Sequence, residues 1–406
     1  MKKDIIPKDA LKILCMLKEN GYEAYLVGGC VRDMYMDKMP NDWDITTSAL
    51  PDEILSIFKP YFPVIEVGKR FGTIAVIINK TQYEVTTYRS DNDYKDSRHP
   101  QSVSFVRNLR EDLLRRDFTM NTLCYNEDEG FVDLLGGKNS IATKTIECVG
   151  SPDKRFNEDA LRIMRAIRFS AQLGFKIEEN TALSIKNNAH LLKNISFERI
   201  NTELCKILLS KDCGYRAISE YKEVFVEILP ELDETIKNES IFNSVLSAMQ
   251  RVKSDTALEV RLAILFYNLD DIESVLKTLK FSNSIIDCVK GLINCKNINI
   301  ENNRPSIKRL LNRLGIENSR KFIKLTEIYT NCNLDYAYGI IDDVLINNEC
   351  YLIKDLNING SDLISLGVEK GNMIGRILEY LLDLVIDGKL ENKSQELMKA
   401  VKKIEF

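Results

Sequence analysis

Seven of the nine prolines lie within the first 152 residues, and only Pro230 and Pro305 follow. A proline inside a helix removes a hydrogen-bond donor and clashes with the preceding turn, at about 3 kcal/mol. Long helices are therefore confined to the later part of the chain, and the first part must be assembled from short, punctuated elements. Nine of the nineteen glycines share that first part. Its residues 24–27, 43–46, 63–67, 72–78 and 82–88 are apolar or alternating runs bounded by turn residues, which predicts strands. Segments 8–20 and 51–58 carry helical periodicity. From residue 157 onward apolar side chains recur at three- and four-residue spacing, which predicts helices over 158–173, 181–192, 196–209, 241–252, 257–267 and 375–387. Leu378, Leu381, Leu382 and Val385 illustrate that spacing. The fold class expected is α+β: a mixed α/β head followed by an all-helical remainder. At 406 residues the chain has room for two to four domains.

A 44% hydrophobic and 29% charged composition with a net charge of −4 carries no global signature of nucleic-acid binding, so an RNA partner must be met by a local basic patch. The ten cysteines form no C-x-x-C pair, and His99 and His190 are the only histidines. That excludes structural zinc, and it excludes an HD-type nuclease or phosphatase site, which needs several histidines with an aspartate. Lys12, Lys18 and Glu19 interrupt the N-terminal segment, so neither a signal peptide nor a membrane span is read there. Reduced thiols and a cytoplasmic protein are the expectation.

Chemistry concentrates in four segments, with Leu26–Asp33 and Asp42–Ile45 counted together as the first. Gly28-Gly29, within Leu26–Asp33, reads as a tight strand-to-helix turn whose free N–H groups suit an anion, with Arg32 adding a charged fork. Alone it is equally an ordinary turn with a surface arginine. In Asn41-Asp42-Trp43-Asp44-Ile45 the two acids are two apart on a predicted strand and so share a face, a spacing that suits Mg²⁺ bound together with substrate phosphates. Alternating acids on a surface strand are the plain alternative. Glu84, on strand 82–88, is the candidate third carboxylate, or an exposed strand glutamate. Arg115-Arg116-Asp117-Phe118-Thr119-Met120-Asn121 offers two arginines to neutralise triphosphate, or a salt-bridged helix start. In Asn157–Phe169, Asp159, Arg162 and Arg165 recur every three residues and would share a helix face. Asp159 with Arg162 is either an i,i+3 ion pair or a base reader. A carboxylate beside a guanidinium complements the amino-donor and ring-nitrogen acceptor edge of cytosine and adenine, and mismatches guanine and uracil.

These four segments, in this order, resemble the class II tRNA nucleotidyltransferases (the CCA-adding enzymes) and the related bacterial poly(A) polymerases. Gly360-Ser361-Asp362-Leu363 and residues 371–387 are similar to the tail of the Gram-positive-type CCA enzymes. The resemblance implies a nucleotidyltransferase palm with a mixed five-stranded sheet at 1–150. A helical neck that reads the base would follow at 151–215, a helical body at 216–300, and a helical, tRNA-binding tail at 301–406. It implies template-independent addition of C, C and A to the 3′ end of tRNA from CTP and ATP, with release of pyrophosphate. Asp42 and Asp44 would hold Mg²⁺, with Glu84 as a further catalytic acid. Gly28, Gly29, Arg32 and Arg116 would hold the triphosphate, and Asp159 and Arg162 would read the base with support from Arg165 and Arg168. Asp37 stands where the family has glycine, and Thr122 where it has alanine; neither removes a functional group.

The competing readings are an enzyme that adds only the terminal A, a poly(A) polymerase, and a catalytically dead RNA-binding protein; the presence of both aspartates argues against the last. Gly68-Lys69-Arg70-Phe71-Gly72-Thr73 resembles the CCA branch. Residues 90–106 resemble the loop that CC-only enzymes lack. The densest basic stretch, Arg304, Lys308, Arg309 and Arg313, is the candidate grip on tRNA, or a solvated helix face.

Overall fold

The computed structural model describes residues 5–66, 68–91 and 103–403. The chain divides into two units, Met1–Ile236 and Lys237–Phe406. In the first, the elements run α1 (Lys8–Glu19), β1 (Ala24–Val27), α2 (Gly29–Tyr35), β2 (Asp44–Thr47), α3 (Pro51–Phe58), β3 (Val64–Ile65), β4 (Thr73–Ile78), β5 (Thr81–Thr87), β6 (Arg89–Asp91) and β7 (Val103–Phe105). There follow α4 (Leu109–Leu114), β8 (Cys124–Asn126), β9 (Gly130–Val132), α5 (Gly137–Ala142), α6 (Pro152–Glu158), α7 (Leu161–Leu173), α8 (Glu179–Asn188) and α9 (Phe197–Leu208).

Periodicity explains these elements. In α1 the buried side chains are Ala10, Ile13, Leu14 and Leu17, one stripe at helical spacing. In β5, Tyr83, Val85 and Thr87 are buried while Gln82 and Glu84 are exposed, as a strand with one covered face requires. The central β1 is buried along its whole length. The sheet has seven strands in the order β3-β4-β5-β2-β1-β8-β9. The five-stranded expectation is corrected by the hairpin β8–β9, which pairs onto β1 and whose three-residue strands are too short to show an alternation. Strand β2 lies parallel to β5, with Asp44 opposite Glu84, and antiparallel to β1.

Three further expectations change. β2 begins at Asp44, so Asp42 precedes the strand instead of sharing its pleat. The single helix expected over 158–173 is two helices. Asp159 ends α6 in an extended conformation (φ −144°, ψ 101°), and α7 starts at Leu161. The region after residue 150 is also not purely helical, because Lys176–Ile177 pairs in parallel with Thr145–Ile146. Helix α2 closes through Asp37 at φ 55°, with the Lys38 N–H donating to the Asp33 carbonyl at 2.8 Å. Aspartate tolerates that left-handed position, which accounts for its standing where the family has glycine. The hairpin β6–β7 flanks the expected flexible loop; residues 92–102 of it lie outside the described residues.

The second unit is helical where described. Its longest helix, Arg304–Thr330, breaks at Gly315 (φ 73°, ψ 174°). Near the C-terminus, Leu363, Ile377, Leu381, Leu397 and Val401 form a separate apolar core. Among the described residues no helix is long and apolar enough to cross a membrane.

The turn Thr119–Asn121 packs against the start of α5 at Gly137, where a Cβ would meet the Thr119 carbonyl oxygen at 2.6 Å and Leu123 at 3.1 Å. Gly137→Ala is expected to destabilise by about 1–3 kcal/mol through this overlap. An uncrowded helical glycine would instead gain up to about 1 kcal/mol on the same change. Urea denaturation reads the sign directly.

Candidate active site

Asp44 opens β2 and faces Glu84 across the parallel pairing, with the exposed Asp42 just before it. Burial first, and then the Asp42 charge, push the Asp44 carboxyl up to about 6; Glu84 adds to the rise and Arg116 opposes it. Like charges crowded in this way call for a counter-cation. The donors are all oxygen, the set that suits a hard divalent ion. Among the described residues no three acidic, histidine or cysteine side chains form a closed metal cage. The acids fit a hard divalent ion only together with ligands from outside the chain, and Glu84 stands opposite Asp44 without closing a cage.

Behind the acids lies Gly28, at φ 83° and ψ −138°, a conformation restricted essentially to glycine. A Cβ there would lie 3.4 Å from Arg116 Nη1 and 3.9 Å from Asp44 Oδ2, so glycine leaves the space between those two side chains open. Gly29 begins α2, where first-turn N–H groups have no intrahelical partner. Asp44, Thr73, Glu84, Thr86, Arg89, Arg115 and Arg116 line a polar cleft of about 220 Å³. Arg115 and Arg116 also line an adjoining pocket of about 260 Å³ with Asp117, Asp159, Arg162, Arg165 and Arg199. The two arginines are therefore a shared wall between the acid cluster and the expected base pocket.

That wall is tied into the sheet and into α7 by ion pairs. Arg32 is buried instead of projecting into solvent: Nε donates to Asp33 Oδ1 at 2.8 Å and Nη1 to Asn121 Oδ1 at 2.8 Å. Asn121 Nδ2 in turn donates to Asp117 Oδ1 at 3.1 Å, and Arg165 donates to Asp117 Oδ2 through Nε and Nη2 at 2.8 and 2.5 Å. Burial works against ionisation of Asp117, yet Arg165 and the Asn121 hydrogen bond hold its carboxyl well below the ordinary range. Phe169 lies beneath three guanidinium groups, with Arg168 at 3.9 Å, Arg32 at 5.1 Å and Arg165 at 5.5 Å from its ring centroid. Arg168 is fixed by buried Glu203 at 2.5 Å.

Asp159 and Arg162 do not form the i,i+3 pair that one helix would give. Arg199, on α9, holds Asp159 in a fork with contacts of 2.8 and 3.2 Å. Arg162 Nη1 donates to Glu158 Oε2 at 2.7 Å, and Nη2 donates to the Arg115 carbonyl at 2.9 Å. Acid and guanidinium still line the same pocket, each held by its own partner. Arg199 was not singled out from the sequence; its only signal there is a lone arginine on a predicted amphipathic helix.

The basic stretch of the second unit is largely neutralised. Arg304 pairs with Asp343 and Glu349, Lys308 is buried against Glu349 at 2.7 Å, and Arg309 pairs with Asp387. Arg309 and Arg313 line a groove with Asn299, Asn303 and Ser306.

Residues 24–147 match the poly A polymerase head domain, 174–235 the probable RNA- and SrmB-binding site of polymerase A, and 251–401 a putative tRNA nucleotidyltransferase domain 2. A CCA-adding enzyme of Bacillus mycoides is 36% identical over 398 residues, 96% of each chain. The chain belongs to the CCA-adding enzymes. A second family member, from Enterococcus faecalis, is 35% identical over 99% of this chain and 98% of its own length. The crystal structure of the Bacillus stearothermophilus CCA-adding enzyme in complex with CTP matches with a TM-score of 0.79 at 30% identity, covering 99% of this chain and 98% of that one. CCA-adding enzymes are nucleotidyltransferases, and the family implies use of a divalent metal.

Because its folded carboxyl is depressed, Asp117 contributes stability that is complete above its unfolded value of about 3.9 and is lost as pH falls through the folded value. Asp117→Asn is expected to cost about 1–3 kcal/mol at pH 7, by leaving half-buried Arg165 without its acid. The gap from wild type should narrow below about pH 4. Denaturation midpoints at pH 7 and pH 3.5 check both statements.

Proposed function

We propose that this chain adds C, C and A to the 3′ end of tRNA, drawing on CTP and ATP without a nucleic-acid template and releasing pyrophosphate. The observation that carries the reading is the shared Arg115–Arg116 wall, which joins the cleft of Asp44 and Glu84 to the pocket of Asp159, Arg162 and Arg165. Full-length similarity to CCA-adding enzymes supports it.

Asp42 and Asp44 are assigned to hold Mg²⁺, with Glu84 beside them. Two such ions, when bound, would supply acidification of the attacking 3′-hydroxyl by one and neutralisation of the departing pyrophosphate by the other. Arg116, held against Gly28, offers positive charge where the triphosphate must lie. The Gly28 N–H is taken up by the Leu123 carbonyl, Gly29 opens the first turn of α2, and Arg32 fixes that turn through Asn121. Asp159 accepts from the amino group of cytosine or adenine, and Arg162 donates to the adjoining ring nitrogen. Arg199 holds Asp159 and Glu158 holds Arg162, while Arg165 and Arg168 pack over Phe169. Guanine and uracil present the opposite polarity at that edge and leave buried groups unpaired.

In this reading residues 1–150 form the palm, 151–215 the base-reading neck, 216–300 the body and 301–406 the tail. Arg313, in the groove it lines with Arg309, is the part of the basic stretch best placed to meet RNA phosphate, since Arg304, Lys308 and Arg309 are engaged by acids. A tRNA substrate and ten free cysteines fit a reducing cytoplasm.

A tRNA ending before CCA, incubated with CTP and ATP singly and mixed, should gain three residues only in the mixture. A single added A, or a long A tail, would replace this reading by an A-adding enzyme or a poly(A) polymerase. Asp44→Ala should abolish all addition with the melting temperature preserved. Asp159→Ala should reduce the preference for CTP and ATP over UTP and GTP by about 100-fold or more. Unchanged selectivity in an incorporation assay removes its assignment as base reader.

A further inference from the structure

Asp112 has no part in the chemistry described so far, yet it is fully buried at 0% exposure beside the cleft. Its carboxylate collects donors from three separate places in the fold. Oδ1 accepts from Arg115 Nε at 3.0 Å, from Arg115 Nη2 at 2.7 Å and from the Arg89 backbone N–H at 3.3 Å. Oδ2 accepts from Arg116 Nη2 at 3.3 Å and from the Thr46 hydroxyl at 3.3 Å. Thr46 lies on β2, two residues beyond Asp44; Arg89 opens β6; the two arginines follow α4. One acid therefore links the strand that carries Asp44, the hairpin beside the cleft and both residues of the arginine wall.

Two adjacent guanidinium groups on flexible stems repel each other and, untethered, would swing toward solvent. With Asp112 in place, Arg116 keeps its other terminal nitrogen against Gly28 and its charge bears on Asp44. We infer that Asp112 is a positioning residue for the nucleotide's triphosphate, whose carboxylate holds Arg115 and Arg116 in register with Asp44. The inference rests on the cleft being the nucleotide site proposed above.

Positioning and simple electrostatics predict opposite signs. Asp112 removes one unit of positive charge from the vicinity of the phosphates. If only the local field mattered, Asp112→Asn would tighten binding of a polyanion. If alignment matters, the same change loosens it, since displacement of a binding group by about 1 Å lowers productive binding by about 100-fold.

The test measures binding of inorganic tripolyphosphate and of tRNA to the full chain in Mg²⁺ buffer, by calorimetry, for wild type, Asp112→Asn and Thr46→Val. The steady-state KM for CTP is measured in parallel. The expected result for Asp112→Asn is a Kd for tripolyphosphate raised by about 10- to 100-fold, a KM for CTP raised with it, and a Kd for tRNA within about twofold of wild type. Thr46→Val, which removes only the orienting hydroxyl, should show the same split at a smaller size. Tighter or unchanged tripolyphosphate binding overturns the inference, and so does an equal loss toward tRNA, which would mark a merely structural acid. Should Asp112→Asn fail to fold by circular dichroism, Thr46→Val decides alone, and absence of the split there overturns it. Failure of the wild type itself to bind tripolyphosphate would overturn the nucleotide reading of the cleft instead.

Discussion

Arginine–carboxylate pairing, buried or half-buried, is the constraint around which the head and the helices that follow it are arranged. A guanidinium removed from water needs an acid, and an acid removed from water needs a donor. Asp112 holds Arg115 and Arg116, Asp117 holds Arg165, Glu203 holds Arg168, Glu158 holds Arg162, and Asp159 is held by Arg199. Each pair joins elements that the backbone alone would leave independent or fixes a side chain at the cleft. By contrast, Asp42, Asp44 and Glu84 crowd together with Arg116 as the opposing charge on Asp44. That imbalance is what a cation and a polyanionic substrate together would relieve.

The same pairing explains how one wall can serve two pockets. Arg115 presents its carbonyl to Arg162, in the base pocket, and its guanidinium to Asp112, behind the acid cluster. A displacement of Arg115 is thereby felt on both sides. Asp117 extends the coupling, because the carboxylate that receives Arg165 also receives Asn121, whose carbonyl oxygen receives Arg32. In the proposed reading, this network couples base recognition to triphosphate binding within the first unit.

Much of this was legible in the sequence where the signal was local. The run Ala24–Val27, the helix Pro51–Phe58 and the alternation through Glu84 reappear within a residue or so of where periodicity puts them. The strands β8 and β9 escaped because three-residue strands carry no readable alternation. The break at Asp159 escaped because the apolar spacing of α7 continues in phase across Glu158, with no glycine or proline at the join. Arg199 and Asp112 escaped for another reason: their partners are set by tertiary contact, and in sequence Arg199 is an ordinary charge on an amphipathic helix and Asp112 one acid in a charged run. The pairing of the basic stretch at Arg304 was equally out of reach, since its acids at Asp343, Glu349 and Asp387 lie 39 to 78 residues away.

The central claim is that ion-paired side chains, with no nucleic-acid template, choose the base by its hydrogen-bonding edge. Calorimetric titration of CTP, ATP, UTP and GTP into the tRNA-free protein in Mg²⁺ buffer tests it most directly. The account predicts that CTP and ATP bind with Kd values at least about 10-fold lower than those of UTP and GTP. Equal affinities for all four would contradict it.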